Sequence, residues 1–463
     1  AHGRLQVLKP SFVDINAKAI IVAGGGDYEG NNLWGATLEH ANNAYRILRR
    51  QGFAKNEIYY LSDEAVDFDG NNLNDELFLT ASKANLQTAI EWASDADSLI
   101  FYMVDHGNVD SFRVQEKEIM SSSDLGGWLD AYSGRLSLIY DACKSGSFID
   151  ELQGEGRIII TSANSSQDAL FLQDGAISFS GLFWQHIDNG EDMFNAFTQS
   201  SSFFSSNALN QTPQLSVSGV SDKNALKERY IGQGNKHNST ALSIQSSASV
   251  IEGNNVTITA SLAANGRHEL QRIWAFIVPK GAATTDIETS PIVDVPTVEL
   301  ELNAQGSYSG QLDAGLLQGS QYISVIAQDK KGNKTLPSLR SVSLGAGKDK
   351  RAILIGAYKN GYQLERVNPE VEKAYYALLK QGYSASHIKV LAEGITQADD
   401  IATLDALDTA INVWSKETQG DLFVYFAGDM DANNIRLKGD SVAPSTLVSW
   451  LDAAIVAREG QLT

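Results

Sequence analysis

The sequence predicts three successive units: a mainly parallel α/β sheet with helices on both faces, a β-sandwich, and a second, altered copy of the α/β unit. Three observations lead to this order. In residues 1–232, continuous apolar runs alternate with segments of helical spacing. In residues 233–346, short strands recur between turn residues and no helical period is present. In residues 347–463, the motifs of the first unit return in the same order.

The first unit alternates buried strands with helices. A continuous apolar run at 18–22 is typical of a buried parallel strand, and the spacing over 38–52 predicts a helix that ends at a glycine. Further elements follow in order: strands at 58–61, 99–104, 136–140 and 157–161, and a helix at 86–92. Strands that alternate with helices form a parallel sheet covered on both faces.

Two of these strands end in reactive side chains. One run is followed by Asp105-His106-Gly107 and the other by Asp141-Ala142-Cys143, which contains the only cysteine of the 463 residues. Ligands of such sheets bind beyond the carboxyl ends of the strands. A thiol becomes a good nucleophile when a nearby imidazole takes its proton. Alone, Cys143 is more often a buried small hydrophobe and His106 a polar turn residue, but together they predict a cysteine peptidase.

The paired motifs resemble the caspase–legumain–gingipain group of cysteine peptidases. The segments 21–24 and 143–147 resemble its legumain-like branch, especially the bacterial members. The resemblance implies a caspase-like fold in which His106 is the general acid and base and Cys143 is the nucleophile. It also implies that the backbone amides of Gly107 and Cys143 form the oxyanion hole. No cofactor is required for this chemistry, and the expected partner is a peptide or protein substrate.

The resemblance also implies a substrate pocket. Legumains hold an asparagine side chain with an arginine from the loop after the first strand and with an aspartate further on. No arginine occurs here between Arg4 and Arg46, whereas Asp174 lies in a segment that resembles the source of the aspartate. Three further residues are predicted to contact the substrate: Asp141, Ser162 and Asn164. An acidic pocket without its arginine predicts cleavage after Lys or Arg rather than after Asn or Asp. The alternative for Asp174 is a solvated loop carboxylate.

A third cluster, at 67–75, alternates carboxylate and amide oxygens around a glycine. Such oxygens suit a hard cation, so the cluster predicts a structural calcium site. The expected ligands are Asp67, Asp69, Asn71 and Asp75. The glycine is not at the EF-hand position and no trailing glutamate follows. A plain loop is the alternative, because Asn and Asp are also common in turns.

The two later units are predicted to be without chemistry. The strand pattern of the middle unit predicts an immunoglobulin-like sandwich. Its expected strands lie at 256–262, 271–278, 298–303, 322–329 and 339–344. In the last unit Asp429 stands at the position of His106, and a carboxylate does not replace imidazole as proton donor near neutral pH unless its pKa is strongly raised. The sheet of this degenerate copy lacks a strand, so a further segment or a partner chain is expected to complete it.

Bulk composition narrows the function classes. A net charge of −20 argues against nucleic acid as a partner, and no apolar stretch approaches the roughly 18 residues of a membrane span. One cysteine excludes a disulfide framework and a cysteine-based zinc site. Acidity and cysteine poverty predict an exported bacterial protein that is secreted, periplasmic or on the cell surface. The alternative to an enzyme is a catalytically silent scaffold or adhesion protein that uses the caspase-like fold to bind partners.

Overall fold

The computed structural model describes most of the chain. The described residues are 16–68, 77–173, 175–206, 209–236, 242–250, 255–262, 269–278, 291–293, 295–314, 317, 319–344, 350–358, 364–380, 383, 385–418, 420–428, 430, 434–458 and 462. Among their helices, none combines the length and apolar character needed to cross a bilayer.

The first unit is an α/β unit around one large sheet. Its strands are β1 (Ala17–Ala23), β2 (Ile58–Leu61), β3 (Leu77–Leu79), β4 (Ser98–Val104), β5 (Gly107–Asn108), β6 (Ser111–Gln115), β7 (Glu118–Ser121), β8 (Arg135–Asp141), β9 (Arg157–Thr161), β10 (Phe171–Leu172) and β11 (Gln214–Val217). Its helices are α1 (Trp34–Arg50), α2 (Lys83–Trp92), α3 (Ser122–Leu129), α4 (Ile149–Leu152), α5 (Phe179–Asp188) and α6 (Met193–Ser206). The strand order is β11-β9-β8-β4-β1-β2-β3, and only β11 runs antiparallel to its neighbour.

Both faces of this sheet are buried, as the continuous apolar runs predict. In β1, Ile20 and Val22 pack into an apolar cluster with residues of α2 and α3. Ala19 and Ile21 point the opposite way, into a cluster with residues of α1 and α5. Successive residues of a strand alternate between faces, so a strand with helices on both sides is apolar throughout. The prediction of a mainly parallel sheet between helices is therefore confirmed for this unit.

Several elements of the first unit were not predicted, among them helices α5 and α6 and the small β5-β6-β7 sheet. The helices α5 and α6 are rich in serine and phenylalanine, which are weak helix formers, and packing of their apolar residues against the sheet stabilises them instead. The three-stranded β5-β6-β7 sheet directly follows His106, and its strands are short: only β6 alternates between buried and less buried residues, over five positions.

The middle unit consists of two four-stranded antiparallel sheets with a common apolar core. Its strands are β12 (Ile244–Val250), β13 (Asn255–Leu262), β14 (Leu270–Ile277), β15 (Ile292–Val293), β16 (Thr297–Glu299), β17 (Glu301–Leu302), β18 (Tyr308–Asp313), β19 (Gly319–Asp329) and β20 (Ser338–Leu344). One sheet has the order β12-β13-β18-β17 and the other β16-β14-β19-β20. The single strand expected at 298–303 is divided, because the chain crosses from one sheet to the other at Leu300.

The last unit is a smaller α/β unit. Its elements are β21 (Arg351–Ala357), α7 (Leu364–Lys380), β22 (Ile388–Leu391), α8 (Leu404–Asn412), β23 (Leu422–Gly428), β24 (Ile435–Leu437), β25 (Asp440–Val442) and α9 (Pro444–Arg458). The parallel order β22-β21-β23 matches β2-β1-β4 of the first unit. The edge strand β23 is half-buried along its centre, whereas β4 is buried at every position. Asp429 lies outside the described residues.

Candidate active site

The carboxyl ends of β4 and β8 meet at one edge of the first sheet. The two strands are paired in parallel from Ser98 with Arg135 to Val104 with Asp141, so they end level with each other. A Cβ atom built on Gly107 would lie 2.7 Å from the carbonyl oxygen of Cys143. The turn that carries His106 therefore lies directly against the turn that carries Cys143, as the parallel sheet predicts.

A residue that the sequence did not single out holds the His106 imidazole. The side-chain oxygen of Asn31, in the loop after β1, lies 3.1 Å from His106 Nε2. The same oxygen accepts a hydrogen bond from the backbone N–H of Leu33, and the Asn31 amide nitrogen donates to the carbonyl of Gly26. These two bonds fix the orientation of the Asn31 amide. Because an amide oxygen only accepts, Nε2 carries the proton and Nδ1 is the basic nitrogen of neutral His106.

The surroundings of the His106 imidazole favour its neutral form. Burial lowers the pKa of His106 below its ordinary value of 6.5. The neighbouring Asp105 carboxylate opposes this shift, and the Arg113 guanidinium adds to it. Near neutral pH the imidazole is therefore uncharged and able to accept a proton.

Cys143 is buried at the end of the same edge. Its side chain is 7% exposed, and its sulfur lies 3.9 Å from the carbonyl oxygen of Ala169. Burial, and after it the carboxylate of Asp168, raise the pKa of the Cys143 thiol to about 12, although Lys144 acts in the opposite direction. Lys144 and Asp168 form an ion pair of 3.3 Å beside the thiol. In this state the thiol is neutral, so nucleophilic attack requires a base that removes its proton.

Asp105 supports the histidine turn from inside the sheet. Its side chain is 1% exposed and accepts a hydrogen bond of 2.7 Å from the Thr37 hydroxyl. Gly25 packs against the other carboxylate oxygen, where a Cβ atom would come within 2.3 Å, and its φ of 75° also favours glycine. The glycine-rich loop after β1 thus allows close approach to the turn before His106.

Two of the predicted substrate-binding residues are inside the unit. Asp141 is fully buried and accepts a hydrogen bond from the backbone N–H of Ser180, at the start of α5. Ser162 is fully buried, and its hydroxyl accepts from the backbone N–H of Ala142, directly before the nucleophile. Their burial argues against contact with a substrate. The carboxylate and the hydroxyl instead accept hydrogen bonds from buried backbone N–H groups.

The other predicted ligand-binding residues are more exposed or outside the description. Asn164 is half-exposed, and its side-chain oxygen accepts from the N–H and hydroxyl of Ser166, which closes a local turn. Asp174 lies outside the described residues. Of the predicted calcium ligands only Asp67 is described; Asp69, Asn71 and Asp75 are not. Within the described ranges no three His, Cys, Asp or Glu side chains gather around a metal-sized site, and the calcium site stays a prediction.

The sheet presents a histidine and a cysteine from neighbouring strand ends, which are the residue types of a nucleophile and its base. Residues 62–230 match the model of the Peptidase C13 family. This match, together with the mainly parallel sheet between helices, confirms the resemblance of this part of the chain to legumain-like cysteine peptidases. The bacterial origin stays a prediction.

Other comparisons are more distant. One similar structure is the crystal structure of caspase-1 from Spodoptera frugiperda. The alignment covers 49% of this chain and 92% of the caspase chain, with 13% sequence identity and a TM-score of 0.32. No curated protein sequence matches the chain.

Replacing Asn31 by alanine is expected to lower kcat about 10- to 100-fold, because the imidazole loses the acceptor that fixes its tautomer and orientation. A second variant, Asn31→Asp, places a carboxylate beside Nε2 and raises the pKa of His106. A base acts only when unprotonated, so activity is lost as pH falls through this pKa. We therefore expect the acidic limb of kcat/KM to lie below pH 6.5 in the wild type and at higher pH in Asn31→Asp. An unmoved limb would contradict the assigned role of Asn31.

Proposed function

We propose that the chain is a cysteine endopeptidase that hydrolyses peptide bonds with His106 and Cys143 as a catalytic dyad. The observation that carries this proposal is the close approach of the two turns, with Gly107 packed against the carbonyl group of Cys143. The match of residues 62–230 to the model of the Peptidase C13 family supports peptidase activity in general. The proposal adds which residues perform it.

The reaction follows from the protonation states in the site. Both partners are neutral at rest, since burial raises the pKa of Cys143 and lowers that of His106. Nδ1 of His106 takes the thiol proton as the sulfur attacks the scissile carbonyl carbon. The backbone N–H groups of Gly107 and Cys143 donate to the resulting oxyanion. The imidazolium then protonates the leaving amine, and water hydrolyses the thioester with His106 again as base.

We further propose that cleavage follows Lys or Arg. The net charge of −20 and the exposed acidic side chains of Asp27 and Glu29, in the loop that also contains Asn31, favour a cationic substrate. Asp174 is the proposed partner of the substrate cation. Arg113 also lies near this loop, with its guanidinium 6.0 Å from the ring of Tyr28, and its charge opposes the preference.

Peptides that differ only in the residue before the cleaved bond test this specificity. We expect kcat/KM to be highest for Lys and Arg, and Asp174→Asn to reduce that preference about 10- to 100-fold by removing a charge partner. The control Glu155→Gln removes an exposed carboxylate of the same unit and should leave the preference unchanged. A strong preference for Asn would contradict the proposal.

We propose that the chain is divided into three domains, with boundaries at 1–232, 233–346 and 347–463. The shared core of two antiparallel sheets supports an immunoglobulin-like sandwich in the middle. The matching strand order supports a degenerate copy at the end. This copy is proposed to be inactive, because Asp429 stands at the position that corresponds to His106 in the first unit.

A scaffold function is the second candidate. Strand β23 carries the partly exposed aromatic residues Phe423, Tyr425 and Phe426, and aromatic residues are enriched where two chains meet. Labelling with a peptide that carries a thiol-directed warhead separates the two functions. An enzyme reacts selectively at Cys143, whereas a scaffold does not.

A further inference from the structure

The middle unit adds a strand to the first unit close to the candidate active site. Strand β15 pairs in parallel with β10, with Phe171 opposite Ile292 and Leu172 opposite Val293. The N–H of Phe171 donates to the carbonyl of Pro291 at 2.9 Å, and the N–H of Gln173 donates to that of Val293 at 3.2 Å. The backbone of β10 is therefore fixed from outside its own unit.

One end of this stretch contacts the nucleophile. We call residues 169–173 and 175–177 the β10 segment. It begins at Ala169, whose carbonyl oxygen lies 3.9 Å from the Cys143 sulfur. The next N–H, of Leu170, donates to the side chain of Gln211, which in turn donates to the carbonyl of Ser162. These polar contacts of the first end are with the first unit.

The other end is held both by the middle unit and by α1, whose His40 Nε2 lies 2.7 Å from the carbonyl oxygen of Gly175. Gln173 has a φ of 59°, a conformation that residues other than glycine rarely adopt. Its side chain donates to the Thr297 hydroxyl, and its N–H is bonded to β15. Lys334, 8% exposed, donates to the carbonyl of Ala176 at 3.3 Å and pairs with Glu39 of α1. Contacts from the middle unit thus hold a backbone conformation that is unfavourable by itself.

Apolar packing joins the same parts. Side chains of the middle unit belong to the apolar cluster that contains Cys143 and the residues 169–172 of the β10 segment. They are Trp274, Phe276, Val278, Val293, Val295 and Ile326. A continuous buried cluster does not allow the two units to move independently without exposing apolar surface to water. The β10 segment therefore belongs to an apolar core that the first unit and the middle unit share.

We propose that the middle unit determines the substrate specificity of the peptidase by holding the β10 segment through β15, Thr297 and Lys334. This inference rests on the proposed function, because it presumes peptide hydrolysis at Cys143. A peptide whose carbonyl carbon is at the Cys143 sulfur must lie beside Ala169. The position of the following residues then decides which substrate side chains fit next to the nucleophile.

The variants Thr297→Val and Lys334→Met test this inference in the full-length chain. Each removes one polar contact to the β10 segment and keeps the size of the side chain. We expect kcat/KM for the preferred peptide to fall about 10- to 100-fold, since displacement of a positioning element by about 1 Å has effects of this order, and the ratio between substrates to change. Alkylation of Cys143 by iodoacetamide, which uses no substrate pocket, should stay within about twofold of the wild-type rate.

The control is Lys350→Met, which removes an ion pair of 2.5 Å with Asp313 in the other sheet of the middle unit. It should change neither measurement. Unchanged substrate ratios in Thr297→Val and Lys334→Met would overturn this inference alone if the wild type cleaves peptides. A fall in the alkylation rate as large as the fall in kcat/KM would also overturn it, because the variants would then disturb Cys143 itself. A wild type that cleaves none of the peptides would refute the proposed function and this inference together.

Discussion

Cys143→Ala is expected to abolish peptide hydrolysis, with a loss in kcat on the order of 10⁶-fold, because removing the nucleophile of a catalytic unit has effects of this size. The fold should persist. The substitution removes one heavy atom, and because the thiol is neutral it removes no charge, so the free energy of unfolding should fall by only about 1 kcal/mol.

The measurement is kcat with the best peptide substrate, together with a denaturant titration of wild type and variant. No other cysteine occurs in the chain, so no second thiol can substitute for Cys143. Turnover in Cys143→Ala at the wild-type rate would refute the dyad. Absence of turnover in both proteins, with both folded, would favour the scaffold.

Gly107→Ala is expected to lower kcat/KM on the order of 10²- to 10³-fold, because it displaces a donor of the proposed oxyanion hole. The added Cβ would lie 2.7 Å from the carbonyl oxygen of Cys143, 2.7 Å from the Tyr140 hydroxyl and 2.9 Å from the Cβ of Ala142. Two of these contacts are with the turn of the nucleophile itself and cannot be relieved by rotating a side chain. The two turns must therefore separate, and the free energy of unfolding should fall by about 1–3 kcal/mol.

Gly127→Ala is the matched control. Gly127 is exposed in helix α3, and a Cβ built there meets no atom within 4 Å. Alanine is the better helix former, so this variant should keep full activity and gain up to about 1 kcal/mol in the free energy of unfolding. Both variants are compared by kcat/KM and by denaturant titration. Wild-type activity in Gly107→Ala would show that the Gly107 amide does not take part in the reaction.

The positions of the two central residues were predictable because they follow from local patterns. The apolar runs before His106 and Cys143 are long enough to identify buried strands, and parallel strands present their carboxyl ends at the same edge. The resemblance added the roles of these residues. The structure agrees on the placement, since β4 and β8 are neighbours and end in register.

The supporting residues were not predictable in the same way. Asn31 reaches His106 from the loop after β1, and Thr37 reaches Asp105 from α1. Neither belongs to a periodic pattern, and a single hydrogen bond between distant loops leaves no mark in the sequence. The burial of Asp141 and Ser162, which were predicted to contact the substrate, could not be predicted for a related reason. A polar residue after a strand looks the same whether it faces a cleft or satisfies a buried backbone group.

The sequence by itself determined the mainly parallel sheet of the first unit and the two strand ends at which His106 and Cys143 stand, and it predicted an altered repeat. Apolar periodicity and short motifs are local properties of the chain, and they suffice for these conclusions. Only the tertiary structure decided which tautomer His106 adopts, why the Cys143 thiol is neutral, and that β15 of the middle unit pairs with β10. Those properties depend on burial, on charge and on hydrogen bonds between residues far apart in the chain, and they exist only once the core has formed.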